Sequence, residues 1–187
     1  MLEEVLAPES VRPIQRREFE RMVAVGFFED ERVELIRGTL VTMSPQGAFH
    51  ADVTRQLTEL LVVALAGRAQ VRAHSPLAVS DDSEPEPDVA VVPPGNYSSE
   101  HPARAYLVVE VAESSLRKDR EIKAGLYARA GVPEYWLVNL IDRVVEVHTS
   151  PAEERYTSVV RRGAAETLRM VSFADVTISV ARLFPAA

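Results

Sequence analysis

The sequence predicts a mixed α/β domain built on a sheet that is covered on both sides. Two short runs, residues 89–92 and 106–111, are apolar at every or nearly every position. A strand with one wet face alternates; a continuous apolar run suits the interior of a sheet covered on both faces. Between and after them lie two segments with helical periodicity. In residues 47–66, Val53, Leu57, Leu60, Leu61, Ala64 and Leu65 share one face. In residues 117–130, Ile122, Leu126 and Ala130 are expected to point inward, and Gly131-Val132-Pro133 stops the helix.

The remaining elements follow in order. Residues 1–13 mix Glu and Pro without period and read as a loose lead-in. Residues 15–25 place Phe19, Met22 and Val23 at helical spacing, with Gly26 as a stop. Residues 32–43 read as a hairpin: Val33, Leu35 and Ile36 precede Arg37-Gly38, and Leu40, Val41 and Met43 follow. Ser44-Pro45 breaks that pattern. Residues 71–79 are expected as a strand, followed by an acidic, turn-rich link over 80–86. Residues 93–104 hold Pro, Gly, Asn and Ser and read as an exposed loop. Residues 135–138 and 144–148 read as strands joined by a turn at Ile141-Asp142-Arg143, and shorter strands are expected from there to Phe184. No internal repeat or low-complexity tract interrupts the chain, and one domain over 1–187 is expected.

Composition narrows the function classes. Hydrophobic content of 47% and charged content of 26% are ordinary for a globular protein. No apolar run is long enough to span a membrane. The opening Met1-Leu2-Glu3-Glu4 lacks the basic front of a signal peptide, so a cytoplasmic location without membrane association is expected. The absence of cysteine excludes disulfides, thiolate metal sites and cysteine nucleophiles. Net charge of -7 counts against broad, non-specific binding to nucleic acid, although a divalent cation or a local basic face can offset it locally.

Three side chains carry the strongest chemical signal. Asp88 follows Pro87 at the start of one apolar run, and Glu110 lies near the end of the other. If the two strands are neighbours, both carboxylates meet at one edge of the sheet. Two such anions repel each other unless a cation joins them, and Mg²⁺ or Mn²⁺ suits oxygen donors. Taken singly, each reads first as a strand-end carboxylate facing water, and only the pair brings a shared cation level with that reading. Lys123 is one of only two lysines, the other being Lys118, against nineteen arginines. Its helix carries five cationic and two anionic side chains, a surplus suited to a scissile phosphate. The plainer alternative is a solvated face with Asp119 and Lys123 paired at i,i+4. Glu34 either points outward or joins the acidic site, and His50 either caps the long helix or serves that site. His74, His101 and His148 are isolated in sequence, and nothing in their spacing suggests zinc. No glycine-rich phosphate loop follows a strand, and no nucleophile elbow supports a serine hydrolase.

The order of motifs resembles the Uma-type restriction endonuclease family, once a domain of unknown function, within the PD-(D/E)XK nuclease superfamily. The segments are Val33-Glu34-Leu35-Ile36-Arg37-Gly38, Met43-Ser44-Pro45 with His50, Pro87-Asp88-Val89, and Val108-Val109-Glu110-Val111. They continue with Asp119-Arg120-Glu121-Ile122-Lys123, Tyr127 and Gly131-Val132-Pro133-Glu134-Tyr135-Trp136. The resemblance spans roughly residues 15–184. It implies a restriction-endonuclease-like mixed central sheet flanked by helices, with the acid-bearing strands at its centre. It implies Asp88, Glu110 and the main-chain carbonyl of Val111 as ligands to Mg²⁺ or Mn²⁺, and it matches Glu34 to an early acidic residue. The superfamily's lysine, two residues after the second acid, is replaced here by Ala112, which makes Lys123 the substitute. The implied activity is endonucleolytic hydrolysis of nucleic-acid phosphodiesters, DNA first. The alternatives are a non-catalytic nucleic-acid-binding or assembly module and a hydrolase of a small phosphate compound. A homodimer or larger homo-oligomer is expected for cutting two strands, with the carboxy-terminal strands and Trp136 as candidate contact surface.

Overall fold

The computed structural model describes residues 10–184; most of the expected lead-in therefore lies outside the described residues. The first helix, α1 (Arg16–Ala24), begins at a reciprocal cap in which Gln15 and Glu18 satisfy each other's end of the helix. Phe19 is its buried anchor. Next, β1 (Val33–Ile36) and β2 (Thr39–Thr42) form the expected hairpin. Arg37 and Gly38 both have positive φ, 49° and 72°, as a two-residue turn between right-twisted strands requires. Leu35 exchanges main-chain hydrogen bonds with Glu84, which docks the hairpin against the rest of the fold. Glu34, the neighbour of Leu35, is carried inward.

The long helix α2 (Ala48–Leu65) buries Val53, Thr54, Leu57, Leu61 and Leu65, and Leu60 and Ala64 pack against the same core. It lies over one face of a six-stranded sheet of order β3-β4-β5-β6-β7-β8. The strands are β3 (Gln70–Ala73), β4 (Val89–Val92), β5 (Leu107–Ala112), β6 (Glu134–Asn139), β7 (Val144–Ala152) and β8 (Arg155–Arg162). All neighbours are antiparallel except β5 and β6. A parallel pair needs a crossover, and here it is helical: α3 (Leu116–Lys118), a π turn (Asp119–Lys123) and α4 (Ala124–Arg129).

Alternation along β5 divides the core. Val109 and Val111 face α2, together with Val89, Val91, Trp136 and Val138. Val108 and Ala112 face α4, together with Ala90, Tyr135, Leu137, Ala124 and Tyr127. A two-stranded unit of β9 (Thr167–Arg169) and β10 (Thr177–Ser179) closes the α2 side, followed by a short 3₁₀ turn (Val180–Arg182). The acid-bearing runs are thus interior strands, covered on both faces, as their composition requires.

Three expectations need correction. The strand expected over 71–79 ends at Ala73, because His74 adopts φ 45° and Pro76 offers no amide hydrogen to a partner. Trp136 offers no contact surface. It is fully buried, and its indole N–H donates to Glu134 at 2.7 Å. Finally, Ile122 is 41% exposed and Lys123 only 2%, the reverse of the predicted face. The π turn is the reason: its wider hydrogen bonding inserts an extra residue and rotates the helix surface.

Candidate active site

The sheet register brings Asp88 and Glu110 together. Asp88 immediately precedes β4, whose partner is β5. Asp88 Oδ2 accepts the Val111 main-chain N–H at 2.8 Å, which ties the first acid to the residue beside the second. Its Oδ1 accepts from Gln46 Nε2 at 3.0 Å. His50, on the first turn of α2, places Nε2 3.3 Å from Oδ2. His74 Nδ1 lies 3.6 Å from Oδ1, so this histidine, isolated in sequence, belongs to the same cluster.

Glu110 is 4% exposed and lies on the α4 face of β5, the same face as Ala112. Its Oε1 receives Lys123 Nζ at 2.9 Å and the Tyr127 hydroxyl at 2.7 Å. Lys123 Nζ also lies 2.9 Å from Glu34 Oε2, and Lys118 Nζ reaches Glu34 Oε1 at 3.0 Å. Glu34 is 1% exposed, so it joins the acidic site rather than facing water. Asp119 is buried as well, with its carboxylate bonded to the Ser115 hydroxyl at 2.5 Å. The solvated Asp119–Lys123 pair is not formed. Lys123 instead crosses from the helix to the strand face where a lysine at position 112 would project.

Electrostatics follow from this crowding. Burial pushes the Glu110 carboxyl up to about 8; Lys123 opposes the rise, and Asp119, Asp88 and Glu34 add to it. Burial likewise raises Asp119. Burial works against the Lys123 ammonium, but Glu110, Glu34 and Asp119 outweigh it and hold the lysine protonated. Glu34 feels the same burial, yet Lys123 and Lys118 bring its carboxyl below the usual range. Burial also disfavours the His50 imidazolium, and Asp88 more than compensates, so its pKa is raised.

Gln46, His50, Asp88, Glu110, Asp119 and Lys123 line one recess of about 150 Å³. Among the described residues, no group of three His, Asp or Glu side chains forms a ready metal cage. The donors nevertheless fit a hard divalent ion. Mg²⁺ is commonly held by one or two carboxylates and otherwise by water and phosphate. Asp88 and Glu110 supply two, and the negative neighbours that raise Glu110 are an excess a cation would relieve. His101 lies apart, 3.9 Å from Glu84, and His148 is buried between Tyr135 and Tyr156.

Sequence reasoning did not assign roles to Tyr127, Gln46, His74 or Asp119. For Tyr127 a signal existed, since it stands four residues after Lys123 and shares its helix face. For Gln46 and His74 none did, because each reaches Asp88 only through the folded chain.

Comparison with known proteins agrees with this architecture. No curated protein matches the chain. A crystal structure from Anabaena variabilis ATCC 29413, described as "a putative nuclease belonging to DUF820", superposes with a TM-score of 0.73. The identity is 16%, over 92% of this chain and 98% of that one. At such identity the likeness establishes the shared fold. The sequence pattern of the Uma2 family, described as "Putative restriction endonuclease", matches residues 16–181. That match spans nearly the whole chain, and this protein belongs to the Uma2 family.

Proposed function

We propose that the chain is a divalent-metal-dependent endonuclease that hydrolyses phosphodiester bonds in nucleic acid, with DNA as its substrate. The observation that carries this reading is Lys123 Nζ, buried 2.9 Å from both Glu34 and Glu110, in the recess that Asp88 also lines. Asp88, Glu110 and the main-chain carbonyl of Val111 would hold Mg²⁺ or Mn²⁺. When bound, such an ion lowers the pKa of water and offsets charge growing on the phosphate. The chain's own groups then do the rest. The Lys123 ammonium orients the attacking water and stabilises negative charge in the transition state. Glu34 holds that ammonium protonated and in place. His50 and Gln46 fix the two oxygens of Asp88.

A non-catalytic binding or assembly module was the rival suggested by Ala112 and the acidic charge. Lys123 Nζ at 2.9 Å from Glu110 supports the catalytic reading over it. The protein is proposed to act in the cytoplasm as a homodimer or larger homo-oligomer. Among the described residues, no helix is long and apolar enough to cross a membrane. The test is incubation of purified protein with single- and double-stranded DNA and with RNA, plus Mg²⁺ or Mn²⁺. Cleavage is expected with DNA and metal, and it should disappear in Asp88→Ala, Glu110→Ala and Lys123→Ala. Cleavage that persists in Asp88→Ala and Glu110→Ala would sink the assignment.

A further inference from the structure

We propose that Tyr127 is a positioning residue for Glu110: its hydroxyl, together with Lys123 Nζ, fixes Oε1 and presents Oε2 to the recess. The inference rests on reading Glu110 as a cation ligand. It goes beyond that reading by assigning a task to a tyrosine that touches no substrate.

Both protein donors to Glu110 converge on a single oxygen, the hydroxyl at 2.7 Å and the ammonium at 2.9 Å. An ionised carboxylate oxygen offers about two lone-pair directions, so Oε1 is saturated. No hydrogen bond reaches Oε2 among the described residues, while Glu110 lines the recess beside Asp88. The terminal torsion of a glutamate is soft and roughly two-fold. Two donors on Oε1 remove that freedom, so Oε2 is the oxygen that stays available.

Tyr127 is itself held firmly. Its side chain is fully buried, and its ring packs 5.3 Å from that of Tyr135. A buried hydroxyl without a partner is costly, and Glu110 is its hydrogen-bond acceptor. The same helix face therefore delivers both donors, four residues apart: Lys123 closes the π turn and Tyr127 lies within α4. Supporting groups of this kind are commonly worth 10–100-fold in metal affinity.

The experiment measures Mn²⁺ binding to the full-length protein by electron paramagnetic resonance and by calorimetry, without any turnover. The set is wild type, Glu110→Gln, Tyr127→Phe and Tyr156→Phe. Tyr156 belongs to the same aromatic cluster, but its hydroxyl donates to the Val132 carbonyl at 2.9 Å, away from the acids. Wild type is expected to bind, and Glu110→Gln to lose most of that affinity. Tyr127→Phe should weaken binding about tenfold and broaden the bound Mn²⁺ spectrum, and Tyr156→Phe should stay within about twofold of wild type. Equal effects of the two tyrosine variants, or no effect of Tyr127→Phe, overturn the positioning role while leaving the site intact. Wild type that binds no Mn²⁺, or Glu110→Gln that binds as well as wild type, removes the metal site itself and this inference with it.

Discussion

Replacing Lys123 with methionine removes the ammonium while keeping most of the side-chain volume. Lys123 is 2% exposed and faces two carboxylates, Glu34 and Glu110, at 2.9 Å each. Removing one partner of a buried ion pair costs about 3–5 kcal/mol, chiefly because it leaves an uncompensated charge. Two features place this case at the lower end. Glu34 keeps Lys118 at 3.0 Å, and Glu110 keeps the Tyr127 hydroxyl at 2.7 Å. Glu110 can also take a proton, since burial already pushes its carboxyl up to about 8. A loss of about 3 kcal/mol at neutral pH is therefore expected. The sign with pH follows. Loss of the ammonium raises Glu110 further, so the variant folds with Glu110 neutral at pH 6 and must bury an unpaired anion or hold a proton against the solvent at pH 9. The deficit should grow as pH rises. The assay is guanidinium unfolding of both proteins at pH 6, 7.5 and 9, with the slope unchanged and the midpoint shifted. Lys118→Met is the control. Lys118 is one-third exposed and, among the described residues, pairs only with Glu34, so it should cost about 1 kcal/mol or less. A Lys123→Met loss below about 1 kcal/mol, or one equal to Lys118→Met, would refute the buried-bridge argument.

Two further outcomes are expected. A carboxylate must lose its proton to bind metal, so with Glu110 held near 8, Mn²⁺ affinity should rise from pH 6.5 to 8.5 and flatten above. Calorimetry in two buffers of different ionisation enthalpy should show proton release at pH 7; none would contradict the raised carboxyl. Gly38→Ala should destabilise by more than about 1 kcal/mol, because φ is 72° and an added Cβ would lie 2.2 Å from Pro13 Cβ. A thermal or denaturant midpoint equal to wild type would count against the turn geometry.

The pattern of side chains along the chain was enough to locate most of the elements, the interior strands above all. Continuous apolar runs around Val89 and Val108 marked strands covered on both faces, and the period through Val53, Leu57 and Leu61 marked α2. Proline and glycine marked the breaks, at Ser44-Pro45 and Gly131-Val132-Pro133. These are local signals, and local physics produces them. What periodicity misread was the crossover helix, since an α-helical period assigns Ile122 inward and Lys123 outward. The π turn reverses them, and its cause is tertiary: two carboxylates, Glu34 and Glu110, await an ammonium inside the fold, and an extra residue rotates Lys123 onto them. Gln46 and His74 reach Asp88 only because the chain folds back on β4, so no spacing in the sequence announced them. The sequence by itself determined which strands are interior and which residues carry charge. Only the tertiary structure decided which of those charges meet, because burial and strand pairing, not distance along the chain, set their neighbours.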